Sequence, residues 1–280
     1  MTVPALPELR FSRIPEPSRS RYEGDRFSFM AAGPADAPPL LLLHGVGANS
    51  LHWRYQFAAL SDRWRVIAWN APGYMLTDAL RADCPDHRAY ADALGDFMDS
   101  LDIARADLFG NSFGTRVAQS LALYHPARVG RMVLTGTGIG RTDLSDVDRT
   151  TALRTRETQI ASGGYAFGDR VAALLGASAS PETIALVQAT LRATNPRGFL
   201  QAARFGMLPV CGLDFADRLT MPILLIQGDQ DQVNPLHANA LPLSRALPNA
   251  RLEILPGIGH LPEVEAPERV NALARAFLAG

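Results

Sequence analysis

Short, mostly apolar runs recur along the chain, and stretches with helical spacing lie between them. Residues 40–43 are four consecutive leucines, entered through Pro38-Pro39. Similar runs occupy residues 65–69, 107–109, 131–134, 223–226 and 251–255, and residues 22–30 have weaker strand character. An apolar run of this kind, bounded by turn residues, predicts a strand buried on both faces of a parallel sheet. Apolar residues at helical spacing predict helices over residues 85–101, 113–124, 235–247 and 266–278. Strands alternating with helices predict an α/β fold, a doubly wound, mostly parallel sheet.

One segment breaks the rhythm. Residues 139–209 contain no strand-like run but carry helix start signals: Ser180 before Pro181-Glu182, and Asn195 before Pro196. Each places a capping side chain ahead of a proline at the first helical position. The strand pattern resumes afterwards, which favours an insertion over a second independent domain. The expected organisation is one core from residues 1–138 and 210–280, with a helical cap at 139–209 over the strand ends.

Composition narrows the chemistry. The 280 residues, 47% of them hydrophobic, suffice for one large domain carrying an insertion. A net charge of -1 gives no electrostatic case for nucleic acid or a membrane surface. All 27 basic residues are arginine, which excludes a Schiff-base or P-loop lysine. The two cysteines, Cys84 and Cys211, are far apart and in no metal-ligand spacing, so neither a disulfide framework nor a metal site is expected, and a reducing compartment fits. No apolar h-region occurs in residues 1–21, and no run reaches the roughly 20 residues of a membrane span. The expectation is a cytoplasmic monomer or homodimer with a small-molecule substrate, no nucleic-acid or membrane partner, and no cofactor.

Four motifs follow strands. Gly110-Asn111-Ser112-Phe113-Gly114 lies between an apolar run and a helix, the setting in which G-x-S-x-G exposes a serine on a sharp strand-to-helix turn. The helix N-terminus adds free N–H groups beside the serine oxygen. His44-Gly45-Val46-Gly47 follows residues 40–43, where a loop can bring a backbone N–H toward that serine. Gly228-Asp229-Gln230-Asp231 follows residues 223–226 and offers two carboxylates, either of which qualifies as an orienting acid. Gly257-Ile258-Gly259-His260 follows the last run. The order serine, acid, histidine, each at a strand's C-terminal end, predicts nucleophilic acyl chemistry.

On these motifs the chain resembles the α/β-hydrolase superfamily, over nearly its whole length from about Tyr22. The family's acid stands fourth in G-x-x-D with a proline four residues on, which selects Asp231, followed by Pro235. The resemblance implies Ser112 as nucleophile, His260 as base, Asp231 as its orienting carboxylate, and the N–H groups of Val46 and Phe113 as oxyanion hole. Where many relatives read D-x-P-G-x-G-x-S, this chain carries Asn70 and Met75 in place of the aspartate and a glycine. The elbow resembles that of carbon–carbon bond hydrolases of aromatic ring-fission products, but Leu261 follows the histidine where those enzymes usually carry tryptophan.

The expected activity is hydrolysis of a small to medium apolar carboxylic ester or lactone. Carbon–carbon bond hydrolysis of a dienoate, with Arg192, Arg197 or Arg204 receiving a second carboxylate, is the main alternative; a non-catalytic small-molecule receptor and cofactor-free oxygen or peroxide chemistry follow it. Gly45, Leu261, Phe199 and Tyr165 are the candidate substrate contacts, with Phe167, Phe205 and Met207 also on the cap side. His52, His87, His125 and His237 are expected to be structural or at the surface.

Overall fold

The computed structural model describes residues 3–162 and 169–280. Its strands are β1 (Leu9–Arg13), β2 (Arg26–Ala32), β3 (Pro39–Leu43), β4 (Arg65–Trp69), β5 (Ala106–Asn111), β6 (Val129–Thr135), β7 (Ile223–Gly228) and β8 (Ala250–Leu255). They form one sheet in the order β1-β2-β4-β3-β5-β6-β7-β8. β2 runs antiparallel to both β1 and β4, and the remaining pairs are parallel. This is the α/β, mostly parallel sheet expected from the sequence.

The leucine run shows why the sheet lies in the middle. Leu41 and Leu43 pack into one core and Leu40 and Leu42 into the other, all fully buried. The helices α1 (Arg54–Leu60), α2 (His87–Asp99) and α3 (Phe113–Tyr124) build both layers: Leu94, Phe97, Val117 and Leu121 share a core with Leu41, whereas Phe57 shares one with Leu42. Burying one such leucine stabilises the fold by about 1.5–3 kcal/mol.

Between β6 and β7 the chain forms α4 (Asp146–Ala161), α5 (Asp169–Leu174), α6 (Pro181–Arg192) and α7 (Pro196–Gly206). The anticipated start signals operate: Ser180 Oγ accepts from Thr183 N at 3.2 Å and Asn195 Oδ1 from Arg197 N at 2.9 Å. A separate small core, including Val171, Leu174, Val187, Leu191 and Phe199, packs these helices against Leu261 and Val264.

Three local expectations change. β1 had no visible signal because it is an edge strand whose side chains are exposed or half-buried, so its sequence carries no apolar face. The strand expected over 22–30 begins only at Arg26, since Tyr22 bridges to Leu80 and donates its hydroxyl to Asp96 Oδ2 at 2.7 Å. The helix expected over 235–247 shrinks to α8 (Ala240–Ala246), because Pro235 O accepts from both Ala238 N and Asn239 N and closes a turn first. The terminal helix expected over residues 266–278 forms as α10 (Pro267–Ala279), preceded by a short α9 (Pro262–Glu265).

The chain passes from β3 to β4 on one side and returns to β5 on the other side of β3. Strand order therefore reverses at the β3–β5 pair, and the crevice beyond the carboxyl ends of such a pair is where open α/β sheets bind ligands. Leu43 pairs with Gly110, so the loop after β3 and the turn after β5 lie side by side.

Candidate active site

Ser112 sits on the turn between β5 and α3 with φ 51° and ψ -112°, a conformation side chains other than glycine rarely adopt. Its N–H donates to Thr135 O at 3.0 Å, and its carbonyl accepts from Thr115 N at 3.0 Å and Thr115 Oγ1 at 2.7 Å. The serine backbone is thus tied down on both sides while the side chain lines a cavity. Gly114 lets α3 approach β3, since a Cβ there would collide with Leu43 O. Phe113 opens α3, where first-turn N–H groups have no intrahelical acceptor.

The loop after β3 comes equally close. A Cβ on Gly45 would stand 2.7 Å from Asn111 Oδ1 and 3.2 Å from Ser112 Cβ. His44 holds this loop: its Nε2 accepts from Ala71 N at 3.1 Å, which leaves Nδ1–H to donate to Gly45 O at 2.9 Å. Burial pushes the His44 pKa down to about 4, so the ring is neutral. Val46 borders the same cavity as Ser112 and Phe113.

Asp231 and His260 meet in the loops after β7 and β8. His260 Nδ1 stands 2.8 Å from Asp231 Oδ2, and both residues are buried. Asp231 Oδ2 also accepts from Gln227 Nε2 at 2.7 Å, and Oδ1 from Val233 N and Asn234 N, both at 2.8 Å. Burial pushes this carboxyl up, but the charge and hydrogen bond of His260 and the two backbone donors outweigh it and hold it below the usual carboxylate range. An ionised Asp231 accepts from Nδ1–H, which leaves Nε2 as the ring nitrogen free to take a proton. Asp229, the other acid of this loop, instead accepts from Gly257 N at 2.7 Å and is exposed.

Ser112, His260, Val46, Phe113, Gly45 and Leu261 all border one cavity of about 150 Å³. Phe205 and Met207 border it too. Phe199 does not: it is fully buried in the core of the 139–209 helices, because its side of α7 faces α5 and α6. Tyr165 and Phe167 lie outside the described residues. The arginine expectation also changes. Arg197 pairs with Asp83 at 2.6 Å and Glu23 at 2.8 Å, Arg204 pairs with Glu157 at 3.0 Å, and neither they nor Arg192 border the cavity. The arginines that do are Arg116, Arg141, Arg156 and Arg170. The wall is therefore less apolar than the sequence implied.

Residues 38–178 match the family model for the alpha/beta hydrolase fold. The chain belongs to the α/β-hydrolase family. It is 31% identical to an uncharacterized protein of Mycobacterium tuberculosis over 98% of this chain and 82% of that protein. It is 28% identical to the 2-hydroxy-6-oxononadienedioate/2-hydroxy-6-oxononatrienedioate hydrolase of Paraburkholderia xenovorans over 96% of this chain and 98% of that one. Among solved structures, a thermophilic esterase from Thermogutta terrifontis superposes with a TM-score of 0.83 at 24% identity, covering 96% of this chain and 98% of the esterase.

Within this hydrolase, several supporting residues escaped the sequence reading. Gln227 links Asp231 Oδ2, Asn234 O (2.9 Å) and Thr137 N (3.1 Å). Asn111 donates to His260 O at 3.1 Å. Glu265 accepts from Gly259 N at 3.0 Å and from Gly176 N at 2.7 Å, joining the His260 loop to the 139–209 helices. His52 is buried on the cavity wall, 2.6 Å from Glu263. No local motif flags any of them, since each also bonds a partner distant in sequence. The Asn70 departure has a clear use: its buried amide accepts from Ser50 N at 2.8 Å and donates to Ser28 Oγ at 2.9 Å. Met75 adopts φ 48°, in the left-handed region that favours glycine. Among the described residues no helix is long and apolar enough to cross a membrane.

Proposed function

We propose that the protein is a serine hydrolase that cleaves a carboxylic ester or lactone through an acyl-enzyme on Ser112. The observation that carries this reading is the His260–Asp231 hydrogen bond of 2.8 Å behind a histidine that shares its cavity with a serine held at positive φ. His260 Nε2 takes the Ser112 proton as Oγ attacks the carbonyl carbon. Asp231 fixes the imidazole tautomer and stabilises the imidazolium that forms. The N–H groups of Val46 and Phe113 bind the developing oxyanion, each worth about 3–4 kcal/mol of barrier. Protonated His260 then gives its proton to the leaving oxygen, and a water deprotonated by His260 releases the acid. Residues 139–209 act as the cap that encloses the substrate, and Gly45 and Leu261 contact it.

Carbon–carbon bond hydrolysis is the second reading. It is favoured by the identity to the ring-fission-product hydrolase and by arginines on the cavity wall. Wild type and Ser112→Ala incubated with short p-nitrophenyl esters and a fluorophosphonate probe test the main reading. Turnover and labelling by wild type alone support it; a wild type that does neither refutes it. Turnover of a dienoate without any ester hydrolysis would transfer the reading to the second.

A further inference from the structure

The cavity wall carries four arginines and, among its described residues, no aspartate or glutamate. Arg116 is the most buried of them. It lies on α3, four residues after Ser112, so about 6 Å along the helix axis separates them. The hydrogen-bond partners of its guanidinium are neutral: Nη2 donates to His87 Nε2 at 2.9 Å and to Val210 O at 3.1 Å, Nη1 to Gly206 O at 3.5 Å, and the group stands 5.1 Å from the Phe205 ring centre with the Cys211 side chain among its electrostatic neighbours. His87 is a neutral acceptor: burial, with the nearby Arg116 charge, pushes its pKa down to about 4, and its Nδ1–H donates to Ser120 Oγ at 2.7 Å, so it brings no negative charge to the guanidinium. Nor does Arg141, on the same wall, supply a counter-charge: its Nη2 donates to Val233 O at 2.7 Å, and its own positive charge opposes that of Arg116. Burial, with this repulsion, lowers the Arg116 pKa to about 10, which still leaves it charged at neutral pH. Neither arginine forms an ion pair among the described residues. An uncompensated buried cation is costly, and natural folds balance one with a partner.

We propose that Arg116 and Arg141 form an anion subsite that receives a carboxylate of the substrate, so that the preferred substrate is a monoanion carrying its ester or lactone carbonyl and its carboxylate on one short chain. This rests on the serine-hydrolase reading for its account of the other end of the cavity. Planar guanidinium groups match a carboxylate in shape and charge, and the enclosed setting strengthens the contact. The apolar remainder of the wall, including Leu174, Val187 and Leu191, suits the chain between the two polar ends.

The test titrates Ser112→Ala protein with monomethyl glutarate and with dimethyl glutarate, and follows hydrolysis of the same pair by wild type. The monoanion should bind at least about tenfold more tightly than the diester, and Arg116→Leu or Arg141→Gln in the Ser112→Ala background should each reduce that ratio about tenfold. Arg116→Lys should restore part of it. Arg116 also ties α3 to Val210, so Arg141→Gln, nearer the surface, decides the matter if Arg116→Leu does not fold. Equal binding of the two esters, or a ratio that survives the substitutions, overturns the subsite. Arginine-dependent binding without hydrolysis by wild type upholds the subsite and removes the serine-hydrolase reading. Hydrolysis of both esters with arginine-independent binding does the reverse.

Discussion

Replacing Ser112 by glycine should make the protein more stable than replacing it by alanine. Ser112 holds φ 51° and ψ -112°, where a Cβ costs on the order of 1–3 kcal/mol. Alanine keeps that Cβ and removes only the hydroxyl, which makes no capping hydrogen bond to α3. Glycine removes the Cβ as well, at a cost of roughly 0.5–1 kcal/mol in extra freedom of the unfolded chain. The backbone bonds to Thr135 and Thr115 survive either change. The net gain of glycine over alanine is therefore about 0.5–2 kcal/mol. At roughly 2 cal/mol/K of unfolding entropy per residue, a chain of 280 residues converts this into about 1–3 °C of Tm. Urea midpoints and melting curves of the two variants, measured side by side, read the difference. A glycine variant that unfolds at or below the alanine variant would show that this turn stores no strain, and that the serine is held by packing alone.

Two further outcomes follow from the supporting residues. Burial pushes the Glu265 carboxyl from an ordinary 4.5 up to about 7, so the folded state holds its proton more tightly than the unfolded state, and stability falls as pH rises across that interval. The full shift corresponds to about 3 kcal/mol, which solvent screening of this half-buried group reduces to about 1 kcal/mol. Glu265→Gln should accordingly gain about that much on wild type between pH 5 and pH 8 in urea titrations; a stability difference flat with pH would refute the assignment. Gln227→Leu strips a donor from Asp231 and leaves Thr137 N–H and Asn234 O buried without their side-chain partner. The expected cost is about 2–4 kcal/mol of stability, with kcat on a p-nitrophenyl ester falling more than KM rises; unchanged kcat in folded protein would sever Gln227 from the chemistry.

Much of this molecule was legible along the chain because its signals are local. Apolar runs bounded by turn residues mark strands buried on both faces and located β3 to β7 to within a few residues; the run at residues 251–255 located β8 as well, although β8 is an edge strand that is only partly buried. The motifs after β3, β5, β7 and β8 could be read because each is a contiguous turn with its own geometric demands. β1 could not, since an edge strand needs no apolar face. Tertiary structure alone decided everything that depends on which side of an element meets which neighbour. It turns Asp231 toward His260 and Asp229 toward Gly257. It sends Arg197 and Arg204 to acidic partners and Arg116 to the cavity, and buries Phe199 among helices instead of on the cavity wall. Asn111 and Glu265 bond the His260 loop from other parts of the chain, and Gln227 ties Asp231 to the loop after β6. Periodicity and motif spacing describe a residue's immediate neighbours in the chain; a charge's partner and a wall's lining are set by segments a hundred residues apart, which only packing brings together.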